Sequence, residues 1–543
     1  MYSASDKKTP LQYGSAVSGG PAIFKEILVV YTETFAPAQR GFILSNATSI
    51  GSQPPEARPV AVRHGASLAR ILGNYDTLVS TEAPMNSSPD STSRREFIKT
   101  GAAISALANV AIPAVHAAGS DLIQIALVGC GGRGGGAAAN ALSVKRGPVK
   151  LVAMADLFPE RLAGDLNKLQ RQFQSQVDVP PDRQFLGFDA YKKAMDCLKP
   201  GDVVIFATPP AFRWVHFTYA IQKGLNVFME KPLTADGPTS QRMFALGQQA
   251  SAKNLKVGVG LMSRHSRALQ ELADRVHNGE VGEIILQRGY RMHGPGGYFL
   301  SLPKPAGISD LLYQIKRFHS FVWASGGCFN DFYIHLIDQL GWMKNEWPVK
   351  AQALGGRHYK VSSEGIAYVD QNFDNYSVEY TYADGSKFFF DGRCMNGCEE
   401  IYTSCLHGTK GMAIASKSGD CGAPSSLYKG QTANAGNLLW ESKVNPDETD
   451  PYQNEWNDLI DAISDDKPYN EVKRGVEASL VSSMGRMAAH TGREITFNQM
   501  LNCEHDMAPG IEKFTVDSPA PLLADANGRY PLPQPGIITA REY

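Results

Sequence analysis

A chain of 543 residues exceeds one ordinary domain, and 43% hydrophobic content with 20% charged residues suits a soluble protein that buries substantial cores, so two folded domains are expected. A formal net charge of -1 removes the long-range electrostatic case for nucleic acid or an anionic membrane, both of which need clustered Lys and Arg, and leaves small neutral partners as the better fit. Eight scattered cysteines lack the density of a disulfide scaffold and do not fix a compartment.

Residues 1–84 show no sustained periodicity. Ser93-Arg94-Arg95-Glu96-Phe97-Ile98-Lys99 then matches the twin-arginine export pattern, and an uncharged stretch from Gly101 to Val115 runs into Val115-His116-Ala117. A basic region, an apolar region and a small-residue cleavage site in that order make an export signal, and the apolar run is too short to span a membrane permanently. A start at Met85 gives the signal ordinary size. Residues 1–84 are therefore expected to be an overextended, disordered start and 85–117 the signal peptide. The mature protein is expected to be periplasmic or otherwise extracytoplasmic, exported folded and free of the membrane once the signal is cleaved.

The apolar run Ile123-Gln124-Ile125-Ala126-Leu127-Val128 reads as a buried strand leading directly into Gly129-Cys130-Gly131-Gly132-Arg133-Gly134. In a Gly-x-Gly-x-x-Gly turn between strand and helix, the first glycine allows the tight turn and the second admits a pyrophosphate to the backbone. The third lets the helix pack on the strand, and Gly132 and Arg133 open the helix whose free N–H groups face the phosphates. A second strand, Val149 to Ala155, ends in Asp156, about 20 residues beyond Gly134. An acid there bonds the adenosine ribose and repels a 2'-phosphate, which favours NAD over NADP. Further strands end in Thr208-Pro209-Pro210 and Glu230-Lys231-Pro232. Their alternation with helix-length segments predicts a doubly wound parallel sheet over residues 118–256, with ligands at the carboxyl ends of its strands.

The glycine motif, Ala207-Thr208-Pro209-Pro210, Glu230-Lys231-Pro232 and the later Asp331-x-x-x-His335-x-x-Asp338 together resemble the Gfo/Idh/MocA family of sugar and cyclitol dehydrogenases, and the resemblance runs to about residue 500. It implies that Lys231 sits beside a nicotinamide and the reacting hydroxyl, with Glu230 and Pro232 fixing its backbone. It also implies that His335 is the general base and that Asp331 orients the hydroxyl. The chemistry agrees: an ammonium stabilises a developing oxyanion, and an imidazole takes a proton near neutral pH. Spacing of four predicts Asp331 and His335 on one helix face, with Asp338 a turn further along the same side. Two departures stand out. Many relatives have glycine where this chain has Tyr333, which is expected to narrow the pocket. They have histidine where it has Arg213, which is expected to alter cofactor or substrate contacts.

From residue 257 to 500 an α+β domain is expected. Leu269, Leu272, Ala273 and Val276 mark an amphipathic helix, and Tyr376 to Tyr382, Asp384-Gly385 and Lys387 to Phe390 make a hairpin of a large, mostly antiparallel sheet. In the family such a sheet leaves one face open for pairing, which implies a homo-oligomer. The loop-rich stretch before Asp331, with Tyr313, Phe318, His319, Phe321 and Trp323, reads either as a wall for a sugar or as core. Trp456, Leu459, Ile460 and Ile463 read as a core helix, and residues 501–543 as an extended Pro-rich tail. Cys394, Cys398, Cys405 and His407 lack the two Cys-x-x-Cys knuckles of structural zinc, so buried thiols are expected and no metal is assigned.

The expected function is an NAD(P)-dependent oxidoreductase taking hydride from a secondary alcohol of a sugar, cyclitol or glycoside, with a tightly held cofactor. A redox-neutral NAD-dependent glycosidase and a non-catalytic periplasmic sugar- or nucleotide-binding protein are the alternatives.

Overall fold

The computed structural model describes residues 122–543 apart from Tyr298. The twin-arginine pattern, the Met85 start and the 1–84 segment lie outside the described residues.

Six parallel strands form the first sheet: β1 (Ile123–Val128), β2 (Val149–Asp156), β3 (Gln184–Leu186), β4 (Val203–Phe206), β5 (Asn226–Met229) and β6 (Val257–Val259), in the order β3-β2-β1-β4-β5-β6. They alternate with α1 (Gly132–Leu142), α2 (Pro159–Gln172), α3 (Ala190–Asp196), α4 (Arg213–Lys223) and α5 (Gly237–Ala252). Strands β1, β4 and β5 are apolar runs because helices cover both faces, as in a doubly wound sheet. Reversal of strand order between β1 and β4 opens a crevice at their carboxyl ends, where the glycine turn lies. Val257–Val259, expected to open the second domain, is instead the sixth strand of this sheet. It pairs with β5 through Val227, Phe228 and Met229.

The chain then builds α6 (Arg267–His277), β7 (Ile284–His293), α7 (Asp310–Lys316), a π-helical turn at Phe329–Tyr333 and α8 (Ile334–Lys344). Next come β8 (Lys350–Gly356), β9 (Asn375–Thr381), β10 (Lys387–Cys394), β11 (Ile401–Gly408), β12 (Gly411–Ser416), β13 (Ser426–Lys429) and β14 (Leu438–Glu441), then α9 (Pro451–Ser464), α10 (Val472–Thr491) and β15 (Ile495–Thr496). The nine-stranded sheet runs β14-β13-β12-β11-β7-β10-β9-β8-β15, antiparallel except where β10 meets β7. Tyr376, Val378 and Tyr380 on β9 and Phe388 and Phe390 on β10 point inward, while Ser377, Glu379, Lys387 and Phe389 face outward. That is the period-2 pattern of a sheet packed on one side.

Two helices tie the sheets together. Helix α10 is buried nearly all round, as a helix inside a large core must be. Helix α9 returns to the first sheet, where Trp456 lies 4.6 Å from Phe228, ring centre to ring centre, and Leu459, Ile460 and Ile463 join Ile125, Leu127 and Leu151. The expected extended tail packs as a strap. Tyr530 meets Phe321 edge to face, and the Glu542 carboxylate is buried in a fork with Arg486, at 2.8 and 2.9 Å, and beside His490 Nδ1 at 2.7 Å. Among the described residues no helix is long and apolar enough to cross a membrane.

Candidate active site

The glycine turn takes its shape from crowding. Gly129 has φ of 99°, a left-handed value that glycine tolerates without strain, and a Cβ on Gly134 would stand 2.0 Å from the Gly129 carbonyl oxygen. Gly131 and Gly132 differ, with open space where their Cβ atoms would project. The first and third glycines thus serve packing, and the second leaves the backbone free for a ligand at the amino end of α1. Asp156, at the end of β2, accepts from the N–H of Cys130 at 2.6 Å and of Phe158 at 2.8 Å, which holds its carboxylate against the turn. Burial raises its pKa despite those bonds.

From this turn a cavity of about 670 Å³ extends across the strand ends, lined by all twelve residues expected in the site: Gly129, Gly131, Gly132, Arg133, Gly134, Asp156, Thr208, Pro209, Glu230, Lys231, Asp331 and His335. Open glycines, an acid at the second strand and a single long cavity fit a dinucleotide. Replacing Gly134 with valine is expected to weaken NADH binding by more than about 100-fold. A fluorescence titration giving wild-type affinity would contradict that placement.

Lys231 follows β5 and reaches across to the π turn. Its Nζ donates to the Asp331 carbonyl and stands 3.5 Å from Asp331 Oδ1. On the other oxygen, His319 Nε2 stands 3.4 Å away. Burial disfavours the Asp331 carboxylate, but Lys231, His319 and His335 outweigh it and hold its pKa below the ordinary value. Asp331 therefore remains ionised between two cationic or donor partners. Burial pushes the His335 pKa down to about 3, so its imidazole is neutral at physiological pH and able to accept a proton.

Glu230 does more than fix the Lys231 backbone. Its carboxylate pairs with Arg133 Nε at 2.5 Å, which clamps the glycine turn to the β5 end, and the Arg133 guanidinium lies over the Tyr452 ring at 4.6 Å. Arg213 is wholly buried and donates to the carbonyl oxygens of Glu230 and Thr208, the latter at 2.7 Å. It braces two strand ends at the cavity wall, and burial lowers its pKa to about 10. One turn later His216 Nδ1 meets Thr208 Oγ1 at 3.1 Å.

Three expectations are corrected. Asp331 lies in the π turn ahead of α8 rather than on one regular helix face with His335. Asp338 points away from the cavity into a fork with Arg264, at 2.7 and 2.9 Å. Tyr333 does not narrow the pocket: it is fully buried against Gly392, with its hydroxyl 3.4 Å from Cys394 Sγ. The aromatic stretch divides, since Phe318 and His319 line the cavity whereas Tyr313, Phe321 and Trp323 pack in a core with the strap. Arg291, Phe332 and Tyr452 also line the cavity, and no sequence motif marked them. Cys394 is buried, Cys398 exposed, and Cys405 Sγ lies 3.8 Å from His407 Nε2. Among the described residues no group of three or more His, Cys, Asp or Glu is placed to hold a metal.

A doubly wound sheet with a glycine turn, joined to a large mostly antiparallel sheet that brings Asp331 and His335 to the strand ends, defines a two-domain architecture with a cavity at those ends. No family model matches the chain. An inositol 2-dehydrogenase from Corynebacterium glutamicum is 31% identical over 105 residues, which covers 19% of this chain and 31% of that relative. The chain thus matches less than a third of that curated relative's length. Among solved structures, a levoglucosan dehydrogenase in complex with NADH and levoglucosan gives a TM-score of 0.51 at 18% identity, over 70% of this chain and 100% of that one. An aldose-aldose oxidoreductase from Caulobacter crescentus gives 0.51 at 16% identity, over 69% and 99%. The chain shares the two-domain fold of those oxidoreductases.

Proposed function

We propose that the chain is an NAD(P)-dependent oxidoreductase acting on a secondary alcohol of a sugar, cyclitol or glycoside. The observation that carries this reading is the convergence of Lys231, Asp331 and a neutral His335 on the cavity that begins at the glycine turn. The curated inositol dehydrogenase match supports the substrate class. A nicotinamide held by the glycine turn, Asp156, Thr208 and Pro209 would supply the hydride acceptor. The protein's own groups do the rest: Lys231 stabilises the developing alkoxide, Asp331 accepts from the substrate hydroxyls and fixes the ammonium, and His335 takes the hydroxyl proton. Asp156 favours NAD, since a 2'-phosphate beside it would meet a half-buried carboxylate.

The twin-arginine pattern favours a second layer to this reading. An exported enzyme with a retained cofactor resets it within each cycle by oxidising one sugar and reducing another, by transient oxidation that labilises a glycosidic bond, or by passing electrons to an external acceptor. Pairing of copies through the outward face of the nine-stranded sheet, where Leu354 and Ile285 are exposed, belongs to the same proposal.

The test incubates purified protein with NAD and a panel of myo-inositol, scyllo-inositol, levoglucosan and glucose, following the near-ultraviolet absorbance of the reduced nicotinamide. At least one substrate is expected to raise that absorbance. Saturable binding with neither absorbance change nor product would replace the oxidoreductase with a binding protein, and in a parallel incubation lacking NAD, sustained product without added cofactor or acceptor would support the closed cycle.

A further inference from the structure

The loop joining β12 to β13 carries a carboxylate that the glycine, lysine and Asp-His motifs do not account for. Asp420 lies there between Gly419 and Gly422, whose φ angles of 86° and 64° let the chain double back beside α8. The loop is built into its surroundings. The Asp420 carbonyl accepts from Ser263 Oγ at 2.7 Å and Gln339 Nε2 at 3.2 Å, and the Gly419 N–H donates to the Tyr402 carbonyl at 2.8 Å. Its carboxylate Oδ2 stands 3.8 Å from His335 Nδ1, with the two side chains only 14% and 7% exposed. That nitrogen is buried and has no hydrogen-bond partner, so Nε2 is the nitrogen left for the cavity.

We propose that Asp420 is the positioning carboxylate of His335: it selects the tautomer with the proton on Nδ1 and leaves the Nε2 lone pair for the substrate hydroxyl. A neutral imidazole has one donor and one acceptor nitrogen, and the partner of the first decides which is which. The proton passes from the hydroxyl oxygen to Nε2 while Nδ1 keeps its own, and the ionised Asp420 then faces an imidazolium. At 3.8 Å the contact in the resting protein is electrostatic, and it shortens to a hydrogen bond as the ring gains charge.

The groups facing the ring make the assignment selective. Asp420 from the β12–β13 loop and Asp331 from the π turn favour the imidazolium, whereas Lys231 after β5 and Arg291 of β7 disfavour it. Asp331 is already engaged by Lys231 and His319, which leaves Asp420 for His335. Asp420 itself is kept ionised: burial opposes its charge, but His335, Tyr402, Arg291 and Cys421 together hold its pKa below the ordinary value. Arg291 stands 3.9 Å from Oδ2, and Cys421 Sγ donates to Oδ1 at 3.2 Å.

Only the proton-transfer step rests on the oxidoreductase reading, and a direct tautomer measurement separates the two. Long-range proton–nitrogen spectra of the protein labelled with ¹⁵N-histidine, with His335 assigned through His335→Gln, are expected to show its proton on Nδ1, and Asp420→Asn to shift it toward Nε2. A proton on Nε2 in the wild type, or an unchanged pattern in Asp420→Asn, would overturn the proposal. With whichever probe sugar the wild type oxidises, Asp420→Asn is expected to lower kcat about 100-fold with KM little changed, and Asp420→Glu to recover part of it. The acid limb of the kcat/KM profile should move to lower pH, because loss of the negative charge lowers the imidazolium pKa. Equal kcat and an unmoved limb would likewise refute the role. If no probe is oxidised even by wild type, the oxidoreductase reading fails while the tautomer still decides the positioning.

Discussion

Replacing Lys231 with methionine is expected to lower kcat by about 10²–10⁴-fold while NADH binding stays near wild type. Methionine preserves most of the apolar stem, so the space between β5 and the π turn remains filled, and what disappears is the ammonium. That ammonium is the charge closest to Asp331 Oδ1, at 3.5 Å, and it is the principal influence keeping the Asp331 carboxylate ionised against burial. Its removal acts twice. The developing alkoxide loses its cation, and the Asp331 pKa rises, so that its acceptor role is lost at a higher pH than in the wild type. His319, at 3.4 Å, remains to compensate in part. Steady-state kinetics on the best sugar of the panel, paired with an NADH titration, provides the check. A variant turning over within about threefold of wild type would remove Lys231 from the reacting centre.

The second large effect concerns stability. Arg486 and Glu542 are both buried, their side chains 0% and 2% exposed, and the guanidinium also donates to Asn330 Oδ1 at 2.9 Å and to the Ala235 carbonyl at 2.8 Å. Glu542→Ala strands this charge in the core and is expected to cost about 3–5 kcal/mol of unfolding free energy. Replacing both partners, Arg486→Met with Glu542→Gln, should recover much of that, because the charge that required pairing is gone. The effect depends on pH. Burial alone would raise the Glu542 pKa, but Arg486 and His490 hold it down to about 2, below the 4.5 of a free glutamate. A depressed carboxylate contributes fully above pH 4.5 and loses its contribution as pH falls toward 2, so the gap between wild type and Glu542→Ala should close over that window. Chemical denaturation at several pH values measures it, and a loss below about 1 kcal/mol at neutral pH would show that the fork is not holding the strap. Asn330 adjoins Asp331, so the same variant should also loosen the π turn and lower kcat.

Local chemistry is what a sequence displays, and the parts of the site with local signatures were readable. The turn from Gly129 to Gly134, the acid ending β2 and the strand ends at Thr208 and Lys231 depend on neighbours within a few residues, and all of them reach one cavity. The hairpin over Tyr376 to Phe390 was legible for the same reason, since its pairing is set by adjacent alternating side chains and the Asp384-Gly385 turn. Long-range partners carry no such mark. Nothing near Val257 says that it pairs with Val227, and nothing near Asp338 or Tyr333 says that Arg264 or Gly392 waits for it. Helical spacing indicates which residues share a side, and a π turn alters that geometry at the residue where it mattered. Asp420 lay in a loop with no periodicity, and Glu542 in a Pro-rich stretch whose partners are on α10.

Helix α9 completes the first sheet from beyond β14 of the second, with Trp456 seated on Phe228. During synthesis the glycine turn and all six parallel strands leave the ribosome long before the helix that seals one of their faces. The half built on the six parallel strands therefore cannot bury its core fully ahead of its neighbour, and a nascent chain that stops short of Pro451 leaves Ile125, Leu127, Leu151 and Phe228 less covered. Completion of the first sheet's core thereby waits until the second sheet has been made as far as β14.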